Sequence, residues 1–336
     1  MTEQTLLSPE LRPELRPELR PELRPELRPE LGSENILLKP GSLWSKIQSQ
    51  TNYAISCGAL QSIPTDCELV NQDGIDWIVR ILANLVRKDI AKKKQEKKKQ
   101  ESGKEFNPFL PYEQDLFVCD ISPTHLCLLN KFNVVDHHLL IVTREFEDQE
   151  NWLTWADFVA MWACLAEFDG LIFYNGGKIA GASQKHKHLQ LVPLPLGTGR
   201  GKIPLEPLLP SANSPGSVLQ IPDLPFVNGF ARMDPNWVNS PLDAAAPTLE
   251  CYRTLLSAVG LLTEENQQSP QQSGPYNLLA TREWMLIVPR SQEEFHGISI
   301  NSLGFAGALL VRNAEQMQLL KEISPMTVLK KVAVPI

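Results

Sequence analysis

The sequence lacks most of the signatures that would point directly to a chemistry. Its six cysteines form no CxxC pair and no HExxH occurs, so zinc ribbons, thioredoxin-type redox centres and zinc-protease sites find no support. No carboxylates gather at metal-ligand spacing. No apolar run is long enough to cross a bilayer as a helix. Positive charge is also in deficit. With 32 Lys and Arg against 39 Asp and Glu the net charge is −7, so no overall basic field draws the chain to nucleic acid. The opening MTEQTLLSPE is acidic and polar, not basic and then apolar, so no signal peptide is read there. The expectation is a cytoplasmic protein with reduced thiols.

What is present is enough for a large core: 336 residues, 43% of them hydrophobic. Residues 9–31 repeat the tetrapeptide PELR. Proline at every fourth position blocks a continuous helix, and the thin apolar content cannot offset the entropy of ordering. Residues 1–33 are therefore read as a disordered or extended tail. Globular composition starts after it. Gly74–Ile90 has helix-like or mixed apolar spacing, and a lysine-rich run, AKKKQEKKKQESGKE, follows at 91–105. A solvated helix end or loop is the simpler reading of that run, and a phosphate-binding patch is the alternative.

Short apolar runs predict strands at LFVCDI (116–121), HLCLLN (125–130) and HLLIVTR (138–144), with a turn at Asn133–His137. Residues 151–168 show helical spacing, with Trp152, Trp155, Phe158, Val159, Trp162 and Leu165 near one face, a core stripe and not a cofactor box. LIFYN (171–175) reads as a strand leading into the glycine-rich turn GGKIAGASQ. Eleven of the 27 prolines fall between Pro193 and Pro247, which predicts a long irregular connection over 201–246 and not a packed sheet. Beyond it come a helix at 248–262, strands at 276–281 and 283–289, an amphipathic helix at 307–323 and a terminal strand, TVLKKVAVP. Without a regular βαβ rhythm, the class is α+β.

The stretch GASQKHKHLQLVPLP (181–195) holds two of the six histidines at alternate positions. On a strand, His186, His188 and Gln190 share one face while Lys187, Leu189 and Leu191 take the other. Three readings compete. Two histidines are too few for a zinc site. Two histidines satisfied at a strand edge are the favourite for a random HxH. The third reading is nucleophilic catalysis. A neutral imidazole, with a reference pKa of ~6.5, attacks through one nitrogen while the other is held by a hydrogen bond. Phosphoryl and nucleotidyl transfer ask for little besides positioning and charge stabilisation. The adjacent turn offers amides and a hydroxyl to phosphate oxygens, and the glutamine amide can donate to another.

LLNKFNVVDHHLLIVTREFE, followed by LIFYNGGKIAGASQKHKHLQLVPLP, resembles the histidine triad superfamily, and more closely the diadenosine tetraphosphate phosphorylases, or ATP adenylyltransferases. YNLLATREWMLIVPRS and ISINSLGFAGALLV look like the same family. The resemblance implies a histidine-triad-like, mostly antiparallel sheet with flanking helices. It implies an N-terminal catalytic region over 34–200 and a C-terminal adenylyltransferase region over 247–336. HKHLQ matches the family's HxHxQ, which makes His188 the nucleophile, His186 its orienting neighbour and Gln190 the residue that replaces a third histidine of the hydrolases. Asn130 matches an asparagine that meets the ribose, and His138 a histidine supporting the site. Asn175, Gly181, Ser183 and Gln184 match the phosphate-gripping turn. Lys88 and Lys92 are two candidates for a phosphate-contacting lysine.

The expected reaction is phosphorolysis of diadenosine tetraphosphate to ADP and ATP through an adenylyl-histidine. The partners expected are nucleotides and inorganic phosphate, with Mg2+ or Mn2+ carried on the polyphosphate and no metal held by the protein. Oligomeric state is left open. A dinucleoside polyphosphate hydrolase and a nucleotide-binding regulator without turnover are the alternatives.

Overall fold

The computed structural model describes residues 35–82, 106–199, 201–210 and 216–336. The expected tail and the lysine run, with Lys88 and Lys92, lie outside these residues. The chain begins with α1 (Leu43–Ser56) and a hairpin of β1 (Thr65–Gln72) and β2 (Ile75–Leu82). The helix-like reading of 74–90 is corrected over its first half. Asp73 and Gly74 both take positive φ, 55° and 76°, and join the two strands as a two-residue turn of the Asp-Gly kind. Trp77, Ile78 and Val79 are buried in succession, a pattern of a strand covered on both faces.

A nine-stranded sheet forms the centre. β3 (Phe117–Asp120), β4 (His125–Leu129) and β5 (Leu139–Thr143) are consecutive antiparallel neighbours. Helix α2 (Trp155–Glu167) leads to β6 (Gly170–Gly176), and β7 (His188–Pro193) then inserts between β5 and β6. The Asp157 carboxylate accepts from the Thr154 N–H and hydroxyl at 2.7 and 2.8 Å, which fixes the start of α2.

The proline-rich connection is corrected in part. It supplies β8 (Val218–Leu219) and β9 (Gly229–Arg232), which form the far edge of the sheet, where proline-rich flanks are tolerated. Helix α3 runs over Pro241–Ala258, earlier than expected, and opens with proline at its first turn. β10 (Tyr276–Ala280) and β11 (Trp284–Pro289) join β6 to β9. So strands from both halves of the chain share one sheet.

After a small hairpin, β12 (Glu294–Phe295) with β13 (Ile298–Ser299), two further expectations change. Residues 308–311 form β14 (Ala308–Val311), parallel to β2, and helix α4 (Ala314–Ile323) starts only after the Asn313 side chain accepts the Gln316 N–H. TVLKKVAVP is mostly helix, α5 (Pro325–Val332). Proline opens it, and Val328, Leu329 and Val332 are buried at helical spacing.

The sheet divides the core. Leu139, Ile141, Leu189 and Leu191 face α2 and α3, where Phe158, Val159, Trp162 and Leu165 are fully buried; Trp152 and Trp155 are half-buried against them. The opposite face carries two separate apolar clusters. One includes Phe173, Val192, Val288 and Phe305; the other is Phe109, Leu126, Leu128, Leu140 and Val142. His188 and Gln190 emerge on this face, between Val142 and Leu140 of the second cluster and Phe173 of the first, their paired neighbours across the sheet.

Candidate active site

The alternation of HKHLQ is realised. Lys187 points to the helix side, wholly buried, and its Nζ reaches Asp157 at 2.7 Å and Glu147 at 2.8 Å. Asp157 also meets His125 Nε2 at 3.1 Å. Burial opposes ionisation of Asp157, but Lys187 and His125 outweigh it and hold the carboxyl well below its usual range.

On the other face, His188 Nδ1 lies 2.8 Å from the His186 carbonyl oxygen. A carbonyl has no proton to give, so Nδ1 carries the hydrogen and donates it. The lone pair is then on Nε2, which has no hydrogen bond among the described residues. Burial lowers the His188 pKa to about 4, against the opposing pull of the His186 carbonyl, so the ring is neutral at pH 7. His186 orients His188 through its backbone carbonyl. Its ring is committed elsewhere. Nε2 donates to the Thr143 carbonyl at 2.8 Å and lies 3.0 Å from the Thr143 hydroxyl. Nδ1 accepts from the Asn107 amide at 2.9 Å. Phe109 and Phe146 meet the same ring edge-on, each with centroids 5.5 Å away. Burial lowers its pKa as well.

A second chain of hydrogen bonds ends at Gln190. Asn130 Oδ1 accepts from the Phe132 N–H at 3.3 Å, which points its Nδ2 at His138 Nδ1, 3.2 Å away. His138 Nε2 in turn donates to Gln190 Oε1 at 3.0 Å. Burial lowers the His138 pKa to about 4 despite that bond, so the ring stays neutral and the relay keeps one direction. Its last member is the Gln190 NH2, which makes no hydrogen bond among the described residues. Asn130 and His138 come face to face because β4 and β5 form a hairpin, closed by Asn130 N–H to the His138 carbonyl at 2.9 Å.

The glycine-rich turn differs from expectation. The Gly177 and Gly181 N–H groups close the turn itself, onto Asn175 and Lys178 carbonyls at 3.0 and 2.9 Å, and do not face outward. Gly181 is needed for shape: φ is +93°, and a Cβ there would sit 2.9 Å from that of Asn301. Ser183 is exposed and Gln184 half-exposed, with no hydrogen bond among the described residues, just before His186. Asn175 is buried in β6. Its Oδ1 accepts from the Ser302 N–H and hydroxyl at 2.9 and 2.8 Å and from Asn277 at 3.0 Å. Its Nδ2 makes no hydrogen bond among the described residues.

Several neighbours carry no signal in the sequence. Asn107 and Thr143 fix His186 from segments 79 and 43 residues away. Gln149, buried, bonds the backbone of His188. Asn277 and Ser302 hold Asn175 from the C-terminal half, with Arg290 donating to Asn277 Oδ1 at 2.6 Å. Among the described residues no group of three or more His, Cys, Asp or Glu is placed to hold a metal ion. No helix of the described residues is long and apolar enough to cross a membrane.

The chain is similar in sequence and in fold to known proteins. Residues 33–211 match the Ap4A phosphorylase N-terminal domain, and residues 222–335 the ATP adenylyltransferase C-terminal domain. Diadenosine 5',5'''-P1,P4-tetraphosphate phosphorylase 2 of Saccharomyces cerevisiae is 30% identical over 255 residues, 68% of this chain and 76% of that protein. Protein APA1 of the same yeast is 31% identical over 207 residues, 56% of this chain and 61% of its own length. The crystal structure of yeast Ap4A phosphorylase Apa2 in complex with AMP superposes with a TM-score of 0.71 at 25% identity, covering 89% of this chain and 99% of that one. The same yeast protein in complex with Ap4A gives 0.69 at 24% identity. A chain with both domain matches, this relative and an HxHxQ strand on an antiparallel sheet belongs to the Ap4A phosphorylase, or ATP adenylyltransferase, family.

Proposed function

We propose that the chain phosphorolyses diadenosine tetraphosphate to ADP and ATP in two steps, with His188 as the covalent carrier. The supporting observation is the paired directionality of the site: an unprotonated Nε2 on His188 and the NH2 of Gln190, neither hydrogen-bonded among the described residues, on one face of one strand. In the first step Nε2 attacks the α-phosphorus. The N–P bond forms, the bond to the α,β-bridging oxygen breaks, and ATP leaves. The imidazole becomes cationic, and its Nδ1–H remains held by the His186 carbonyl, which stabilises that charge. In the second step inorganic phosphate attacks the same phosphorus, ADP forms and His188 returns neutral.

Gln190 donates to a non-bridging phosphoryl oxygen in both steps. A third histidine at this position could also exchange protons; an amide cannot. The polyphosphate leaving group needs no proton, so the amide costs nothing in transfer and withholds general-base help from water. Asn175 Nδ2, Ser183 and Gln184 supply further donors for the chain of phosphates. Mg2+ or Mn2+ comes with that polyphosphate and neutralises charge on it. Asn130 acts in this reading through His138, with its remaining N–H open to a ribose hydroxyl.

Product analysis tests the proposal. With phosphate present, equal amounts of ADP and ATP are expected, and without it no sustained turnover. AMP and ATP formed equally well without phosphate would establish a hydrolase instead. Tight nucleotide binding with no product in either condition would establish a regulator.

A further inference from the structure

The ladder between β6 and β7 stops short of the nucleophile. It runs in register from Gly170↔Pro193 to Phe173↔Gln190. The next pair of the same kind would be Asn175 opposite His188, with the His188 N–H donating to the Asn175 carbonyl. That bond is absent, and a side chain stands in its place. Gln149 Oε1 accepts the His188 N–H at 2.9 Å. Gln149 Nε2 donates to the Asn175 carbonyl at 3.0 Å and to the His188 carbonyl at 3.3 Å. One primary amide thus replaces a direct backbone bond by a two-bond bridge, and holds the strands apart by its own width.

The wedge is itself firmly held. Gln149 is 2% exposed. Its N–H donates to the Lys185 carbonyl at 2.7 Å, and its carbonyl accepts the Tyr174 hydroxyl. The same hydroxyl reaches Asn151 O at 3.2 Å. On its far side β6 stays paired to β10 through Asn175↔Asn277, so the split is confined to the edge facing His188. Both N–H groups of the Gln149 amide are used, which leaves it no donor to offer a phosphoryl oxygen.

We propose that Gln149 is a positioning residue: its amide spaces β6 from β7 at one point, and so sets the gap between His188 and Asn175 that receives the phosphoryl group. The inference rests on the transfer reaction proposed above for its chemistry, but not for its geometry. Closing the strands would move the His188 backbone and the Asn175 amide toward each other. Displacements of about 1 Å at such a site cost on the order of a hundredfold in rate.

The test compares Gln149→Asn and Gln149→Ala with Asn228→Ala. Gln149→Asn keeps the amide but shortens its reach by one methylene. Asn228 is a similarly buried amide whose hydrogen bonds stay within the loop before β9, accepting from Ile221 N–H at 2.7 Å and donating to the Phe226 carbonyl at 2.9 Å. All three variants are expected to melt earlier than the parent. Only the two Gln149 variants should lose kcat, by about a hundredfold, with KM for diadenosine tetraphosphate nearly unchanged. A crystal structure of Gln149→Ala should show the His188 N–H donating directly to the Asn175 carbonyl, at about 2.9 Å.

Two results would overturn the inference. One is kcat in Gln149→Asn equal to that of Asn228→Ala. The other is a Gln149→Ala structure in which the strands stay apart. If the parent protein proved to have no transferase activity, the functional reading would fail, and the crystal structure would still decide the wedge.

Discussion

At His188 the Nδ1–H is committed to the His186 carbonyl, and Nε2, with no hydrogen bond among the described residues, keeps the lone pair that a nucleophile needs. That His186 orients His188 was implied by the family resemblance of HKHLQ, and strand alternation gave only the shared face of the two side chains. The supports behind it were not, since Asn107 and Thr143 reach the His186 ring, and Gln149 the His188 backbone, only through the fold. Burial lowers the His188 pKa to about 4, so the reacting form persists well below neutrality. The rate of adenylyl transfer from diadenosine tetraphosphate, followed as kcat/KM, should therefore stay flat from pH 8 down through ~6.5, the ordinary histidine value, and fall only near about 4. A midpoint near ~6.5 would mean a solvated ring and would remove burial from the account. Gln190 gives a second prediction at this scale. Gln190→His adds a group able to take a proton from water, and should raise AMP relative to ADP by about an order of magnitude in competition with phosphate. An unchanged product ratio would show that the acceptor is chosen elsewhere.

At the scale of one strand, β7 must present His188 and Gln190 on one face without slipping by a residue, which would send both into the helices. Lys187 opposes such a slip. Its ammonium is bound to Asp157 and Glu147 beneath α2, and a slipped register would strip both of their partner. Lys187→Met should leave the buried Asp157 carboxylate without its ammonium partner, and should lower unfolding free energy by about 3–5 kcal/mol in denaturant titrations. kcat per folded molecule should change little. A stability loss below about 1 kcal/mol would mean that the ion pair is not what anchors the strand. From the sequence this lysine was assigned to the correct face, but its partners were invisible, because Asp157 looks like an ordinary residue of a helix start. Elsewhere local signals were misread where two periods overlapped. The run after Gly74 mixes helical and alternate spacing, and the Asp-Gly turn decides for the hairpin. The C-terminal run reads as a strand by its β-branched residues, yet Pro325 and the spacing of Val328, Leu329 and Val332 make it a helix.

For the whole molecule, the sheet draws its strands from both halves of the chain, and the site depends on that. Asn175 would face the phosphoryl group from β6, but its carboxamide is aimed by Asn277 on β10 and by Ser302, and Asn277 is held in turn by Arg290. Arg290 is buried, with no ion pair among the described residues. Burial lowers its pKa to about 10, and its N–H groups are spent on Asn277 and on the carbonyls of Val332, Ile300, Gln292 and Glu293. It thereby ties the end of α5 to the site. Such long-range ties explain why the HxHxQ strand was legible in one stretch while the support for Asn175 was not. The PELR repeat is a low-complexity tract too thin in apolar residues to offset the entropy of ordering. Removing residues 1–31 should accordingly leave kcat and KM within about twofold, a difference of about 0.4 kcal/mol. A large loss in a steady-state assay would show that the repeat takes part in turnover.

The central claim is the covalent adenylyl-His188. It is tested most directly by intact-mass spectrometry of the protein after brief exposure to diadenosine tetraphosphate with Mg2+ and without phosphate. The account predicts a mass gain of one adenylyl group, its discharge to ADP when phosphate is added, and its absence in His188→Ala, whose melting temperature should match the parent. An unmodified protein that nevertheless releases ADP and ATP when phosphate is present would contradict it, because transfer would then be direct and His188 would carry nothing.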